Sequence, residues 1–258
     1  MSGNNDCSKN GPHVDLQYAA GTYFEDPQRH SSDAMFKAEC FLKLLRKSKE
    51  KIGAIRIRSY TDVGCGSGEV VRIVADSLRK DGFQLETVKG YDVSPHVREL
   101  RSHSIDYVHG DYSESDDYAD LITLFDVLEH VVDPIGFLKR IAMRSRIVGL
   151  HLPLDYSVSN ALRNKFQELL EDPGHRLFLD ATLALNLLTL SGLRIIAYDY
   201  TFNFRSPSGH RSIMSKIAYP LRLLLSKISP WLMSKTIGGA SLMVVALTSA
   251  GQSTGNDA

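Results

Sequence analysis

The 258-residue chain has one tryptophan, three cysteines and no net charge, with 30 Lys+Arg balancing 30 Asp+Glu. Cys7, Cys40 and Cys65 show neither a CxxC spacing nor a neighbouring histidine pair. This argues against a disulfide framework or a zinc finger and suits a reducing compartment. Zero net charge removes the global case for a nucleic-acid partner. No apolar run reaches the roughly 18 residues a spanning helix requires, and the polar start MSGNNDCSKNGPH lacks the apolar region of a signal peptide. A cytoplasmic protein is the expectation. The chain is 43% hydrophobic and 23% charged, so it can bury a substantial core.

Both ends, residues 1–16 and 249–258, are rich in Ser, Gly, Asn and Asp and are expected to be disordered, leaving one domain over 17–248. Residues 32–47 carry apolar residues at helical spacing after Ser32, a candidate cap. Residues 54–64 then alternate like a strand and run into glycines, and 69–80 read as a helix. Further strands are predicted at 86–92, 104–111, 120–126, 146–154, 192–202 and 241–247, with helices at 157–171 and 180–191. Ser94-Pro95 and Asp133-Pro134 pair a cap residue with a proline suited to the first helical position. Strands alternating with helices predict an α/β fold with a mostly parallel sheet covered on both faces. Residues 203–239 form a late helical insert.

The glycine loop Asp62-Val63-Gly64-Cys65-Gly66-Ser67-Gly68 lies between a predicted strand and a predicted helix, where a backbone can approach a ligand closely. The dinucleotide fingerprint GxGxxG fails, because the third glycine is replaced by Glu69 in one register and by Val71 in the other. No Gly-Lys-Ser/Thr follows, so the phosphate-cradling P-loop fails too. Asp92 ends the second strand 24 residues after Gly68, a position from which a carboxylate reaches ribose hydroxyls in a doubly wound sheet. Asp111 follows the third strand, and LFDVLEHVVDP closes the fourth.

With DVGCGSG (62–68), GYDVS (90–94), HGDY (109–112) and DLITLFDVLEHVVDP (120–134) in this order, the chain resembles the class I S-adenosylmethionine-dependent methyltransferases. The resemblance covers roughly residues 55–145. It implies a Rossmann-like, doubly wound, seven-stranded, mostly parallel sheet with an antiparallel last strand, and S-adenosylmethionine as cofactor. It also implies roles: Gly64, Gly66 and Gly68 face the methionine part and Asp62 orients the loop and the amino group. Asp92 accepts the ribose hydroxyls and Val93 packs on the adenine. Asp111, with the backbone of Tyr112, holds the adenine edge, and Phe125 and Asp126 lie beside the methionine end.

If the methyl acceptor is a hydroxyl, a general base speeds transfer. His151, at the end of the fifth strand, His130 and His175 are the catalytic candidates. The triple Asp126-x-x-Glu129-His130 is similar to an ExxEH version that binds a divalent metal in some relatives, but its first position is one methylene short, and no metal ligand is assigned. The insert holds Arg205, Arg211, Lys216, Arg222, Lys227 and Lys235 with no acidic residue, and apolar residues near helical spacing. This suits a lid packed on the domain, which is the preferred reading, or a peripheral contact with an anionic membrane. HLPLDYSVSN (151–160) and GHRLFLDATLALNLLTLSGLRII (174–196), together with this insert, look like methyltransferases of polysaccharide and glycan assembly, so the expected reaction is methyl transfer to a small-molecule or sugar hydroxyl, with a lipid-linked glycan among the candidates. The alternatives are a non-catalytic cofactor-binding module, a metal-assisted O- or RNA methyltransferase, and a dinucleotide-dependent reductase.

Overall fold

The computed structural model describes residues 33–53, 56–206 and 219–253. Its seven strands are β1 (Ser59–Val63), β2 (Thr87–Asp92), β3 (Asp106–His109), β4 (Ala119–Phe125), β5 (Ser145–Pro153), β6 (Arg194–Phe202) and β7 (Ala240–Leu247). They form one sheet in the order β3-β2-β1-β4-β5-β7-β6. β1 to β5 are parallel to one another, whereas β7 runs antiparallel between β5 and β6. The doubly wound, Rossmann-like sheet with an antiparallel last strand is therefore the architecture observed. β7 is buried at all eight positions, as its unbroken run ASLMVVAL requires of a strand flanked on both edges and covered on both faces.

Helices cover each face with an apolar stripe. On one side α1 (Ala34–Lys47) and α2 (Glu69–Lys80) pack Ala38, Phe41, Leu45, Val71, Val74 and Leu78 against Leu121, Ile147 and Val245. On the other, α3 (Pro134–Met143) sets Phe137, Leu138 and Ile141 against Ile122, Val148 and Val244. The proline-led starts behave as the sequence predicts: Asp133 accepts from Gly136 N–H at 2.9 Å and Ser94 from His96 N–H at 3.4 Å. Asp33, rather than Ser32, immediately precedes α1. Its carboxylate makes no cap and accepts instead from Ser206 Oγ. Ser32 lies outside the described residues.

The predicted helix over 157–171 is two short ones, α4 (Val158–Leu162) and α5 (Lys165–Glu171), separated by Asn164 in the left-handed region at φ 52°. α6 (Ala181–Leu190) is capped by Asp180, which accepts from Leu183 N–H at 2.9 Å. In the insert, α7 (Tyr219–Ile228) and α8 (Pro230–Thr236) are split at Ser229-Pro230. Leu223 and Leu225 pack on the core. Leu221, Leu224 and Ile228 form a second apolar row that stays exposed. The predicted disorder over 249–258 fails at its start, because 249–253 form a helical turn in which Gly251 N–H bonds Thr248 Oγ1. The predicted disorder over 1–16 lies outside the described residues.

Candidate active site

Parallel strands place their carboxyl ends together, and the loops after β1, β2 and β4 meet there. Gly64, Gly66 and Gly68 all have positive φ, at 75°, 51° and 77°. Two are also hemmed in. A Cβ at Gly64 would stand 2.4 Å from Val127 Cγ2, and one at Gly68 would stand 2.6 Å from the Tyr107 hydroxyl. Gly68 precedes the first turn of α2, so the chain passes from a tight loop straight into a helix N-terminus. Asp92 fastens the loop to its own turn: Oδ2 accepts from Gly66 N–H and Oδ1 from Ser94 N–H, both at 2.8 Å. Burial raises its pKa against the pull of these N–H donors.

Asp62 is buried below the loop, where Oδ1 accepts from Thr123 Oγ1 at 2.5 Å. Burial pushes its carboxyl up to about 7, with the Asp92 charge adding to the effect. Val93 is half-buried after β2, and its carbonyl accepts from His109 Nε2 at 3.1 Å. Asp111 caps the turn after β3 by accepting from Ser113 N–H at 2.8 Å. Tyr112 is fully buried, and its hydroxyl donates to the Asp117 carbonyl at 2.8 Å. Phe125 is likewise turned into the core, packed edge-on against Phe41 and His151.

Asp126 lies just past the end of β4 with φ 55°, a left-handed conformation rare for a non-glycine residue. Two partners hold it there. His151 Nδ1 donates to Oδ1 at 2.6 Å and Lys37 Nζ to Oδ2 at 2.5 Å. Burial would raise the Asp126 carboxyl, but these two groups outweigh it and hold it well below the usual carboxylate range. Burial would likewise lower the Lys37 ammonium, and Asp126 reverses that. His151 is further bonded through Nε2 to Thr201 Oγ1 at 2.8 Å, so both ring nitrogens are engaged and the ring is buried. The structure gives His151 the geometry of an anchor for Asp126 and separates it from the other two histidine candidates.

His130 and His175 converge instead on Glu129. Each Nε2 lies 4.0 Å from Glu129 Oε1, and the two rings meet edge to face with centroids 5.0 Å apart. His130 Nδ1 bonds the Gly174 carbonyl at 3.2 Å, and His175 Nδ1 bonds Asp155 Oδ2 at 2.6 Å. Glu129 is 2% exposed, and neither carboxylate oxygen has a hydrogen-bond partner among the described residues. Burial, then the nearby Asp126 charge, pushes its carboxyl well above the ordinary range. Lys37, Thr201 and Asp155 were not singled out in the sequence. Lys37 is 89 residues from its partner on an ordinary amphipathic helix, and no local pattern marks it.

A family model described as a methyltransferase domain matches residues 34–200. The chain belongs to this methyltransferase family. The methyltransferase also shares its fold with solved structures. The partner of the Haloferax volcanii Trm112 activator in their complex is 15% identical, with a TM-score of 0.54 and coverage of 88% of this chain and 96% of that one. Magnesium protoporphyrin IX methyltransferase from Synechocystis PCC 6803, bound to S-adenosylhomocysteine, is 14% identical, with a TM-score of 0.53 and coverage of 88% and 91%. The N-methyltransferase NodS from Bradyrhizobium japonicum WM9, also with S-adenosylhomocysteine, is 13% identical, with a TM-score of 0.53 and coverage of 90% and 99%. Comparison with curated proteins returns no match.

The methyltransferase uses S-adenosylmethionine, and the site's own geometry fits it. A carboxylate offers about four lone-pair positions; two on Asp92 are taken by Gly66 and Ser94, which leaves two for a pair of ribose hydroxyls. The glycine loop has no side chain between its backbone and a ligand at Gly64, Gly66 or Gly68. When bound, the cofactor supplies a methyl group already activated on a sulfonium. The protein has then to hold the acceptor in line and exclude water.

Proposed function

We propose that this methyltransferase transfers its methyl group to a hydroxyl of a small-molecule acceptor, with a sugar as the favoured class. The observation that carries the reading is the cluster of Glu129, His130 and His175. It is joined to the cofactor loop through Val127, which presses on Gly64. Gly174 O can only accept, so His130 Nδ1 carries the proton, and His175 Nδ1 donates to Asp155 in the same way. In this arrangement Nε2 of each ring faces Glu129 Oε1 at 4.0 Å. A hydroxyl attacks well only as its proton is drawn off, and a base beside the methyl donor serves that step.

The role expected of Asp92, Val93 and the Asp111–Tyr112 backbone is to hold the ribose and adenine, and that of Asp62 and the three glycines to hold the methionine end. Lys37, Asp126 and His151 keep the loop after β4 in its left-handed conformation. The test is label transfer from S-[methyl-³H]adenosylmethionine to paired acceptors that differ only in carrying a hydroxyl or an amine. Incorporation into hydroxylated sugars or phenols but not their amino counterparts is expected. Incorporation confined to the amines would overturn the reading.

A further inference from the structure

The geometry points to a divalent transition-metal site formed by Glu129 Oε1, His130 Nε2 and His175 Nε2. The three donor atoms lie within 4.8 Å of one another, and each imidazole nitrogen is 4.0 Å from the carboxylate oxygen. Ligand atoms on one tetrahedral zinc ion at about 2.0–2.2 Å stand roughly 3.3–3.6 Å apart, so an ion would draw each imidazole about half an ångström closer to the carboxylate. Two imidazole nitrogens and one buried carboxylate oxygen converge there, an arrangement that a cation stabilises. Glu129 makes the point most sharply, being 2% exposed with both oxygens lacking a hydrogen-bond partner among the described residues.

The surroundings of the two histidines are those of metal ligands. Each donates its other ring nitrogen to an oxygen, His175 to the Asp155 carboxylate and His130 to the Gly174 carbonyl. Such bonds fix the tautomer and aim the remaining lone pair. The Glu129 carbonyl accepts from Arg176 N–H at 2.8 Å and from Leu177 N–H at 3.2 Å, tying the loop of His175 directly to the loop of Glu129. Asp126 takes no part, because Lys37 and His151 occupy its two oxygens. Two imidazoles and one carboxylate form a set that selects zinc, cobalt, iron or manganese over calcium and magnesium, which prefer all-oxygen cages. Three protein ligands leave at least one position open, as in catalytic rather than structural zinc sites. On the reading proposed above, that position would take the acceptor oxygen and ease loss of its proton. Ion binding itself does not depend on that reading.

The experiment uses untagged full-length protein stripped with chelator and titrated with Co²⁺, read by visible absorption, with S-adenosylhomocysteine affinity measured alongside. Visible bands that saturate at one equivalent and are displaced by Zn²⁺ are expected. Glu129→Gln and His175→Ala should each weaken Co²⁺ binding more than about 100-fold, beyond the 10–100-fold typical of losing an outer partner. Asp155→Asn should fall within that smaller range. Absence of the bands in wild type, or bands unchanged in both Glu129→Gln and His175→Ala, overturns the site. A folded wild type that binds Co²⁺ but not S-adenosylhomocysteine would keep the metal site and count against the cofactor reading alone.

Discussion

At the scale of single residues, the active site is assembled from groups held in conformations or protonation states they would not choose alone. Asp126 adopts φ 55° because Lys37 and His151 hold its carboxylate, and Gly64 is pressed by Val127 so that only glycine fits. Asp62 is the clearest case for pH. Its folded carboxyl titrates near 7, whereas an unfolded aspartate releases its proton near ~3.9. Between those values the folded state binds more protons than the unfolded state, so the Asp62 contribution to stability falls as pH rises and is lowest above 7. The isosteric Asp62→Asn has no such loss. Urea unfolding should therefore show the variant gaining on wild type by on the order of 3 kcal/mol from pH 5 to pH 8. A difference that stays flat across that range would contradict this assignment.

At the scale of elements, what was legible in the sequence was local. The period change from helix to strand at residue 54, the glycines after β1 and the two cap-proline pairs each mark an element by its own residues. The acids Asp92 and Asp111 could be placed because strand ends are predictable. Contacts between elements were not legible. Lys37 on α1 reaches Asp126, and Asp155 after β5 orients His175, through pairings that no single stretch encodes. Gly149, midway along β5, is another such contact. It reads as a weak point in a strand, yet the Phe41 ring of α1 occupies the space of its missing side chain, and a Cβ there would come within 2.3 Å of the ring. Phe41 is fully buried, so Gly149→Ala must displace it or shift the helix. The expected cost is about 1–3 kcal/mol in chemical denaturation, the usual range for overpacking. A Gly149→Ala protein as stable as wild type would show that α1 is not seated on β5 as described.

At the scale of the whole molecule, the sheet order brings the ends of β1, β2 and β4 side by side, so that one crevice receives the glycine loop, Asp92 and the loop of Asp126 to His130. The strand succession made the parallel part of this sheet readable in advance. The antiparallel sense of β7 followed only from the family resemblance, and its place between β5 and β6 was not foreseen, because an unbroken apolar run does not say which neighbours it has. The proposed acceptor end draws on loops after β4 and β5 and on the segment carrying His175, where tertiary contacts alone bring Glu129, His130 and His175 together. The central claim is that this crevice is built for S-adenosylmethionine and not for a dinucleotide. The measurement that tests it most directly is calorimetric titration of S-adenosylhomocysteine and of NADH into wild type and Asp92→Ala, with thermal unfolding to verify that both are folded. The account predicts micromolar binding of S-adenosylhomocysteine, weakened at least about tenfold in Asp92→Ala by loss of charge-assisted hydrogen bonds, and no binding of NADH. Tight NADH binding, or folded wild type that does not bind S-adenosylhomocysteine, would contradict it.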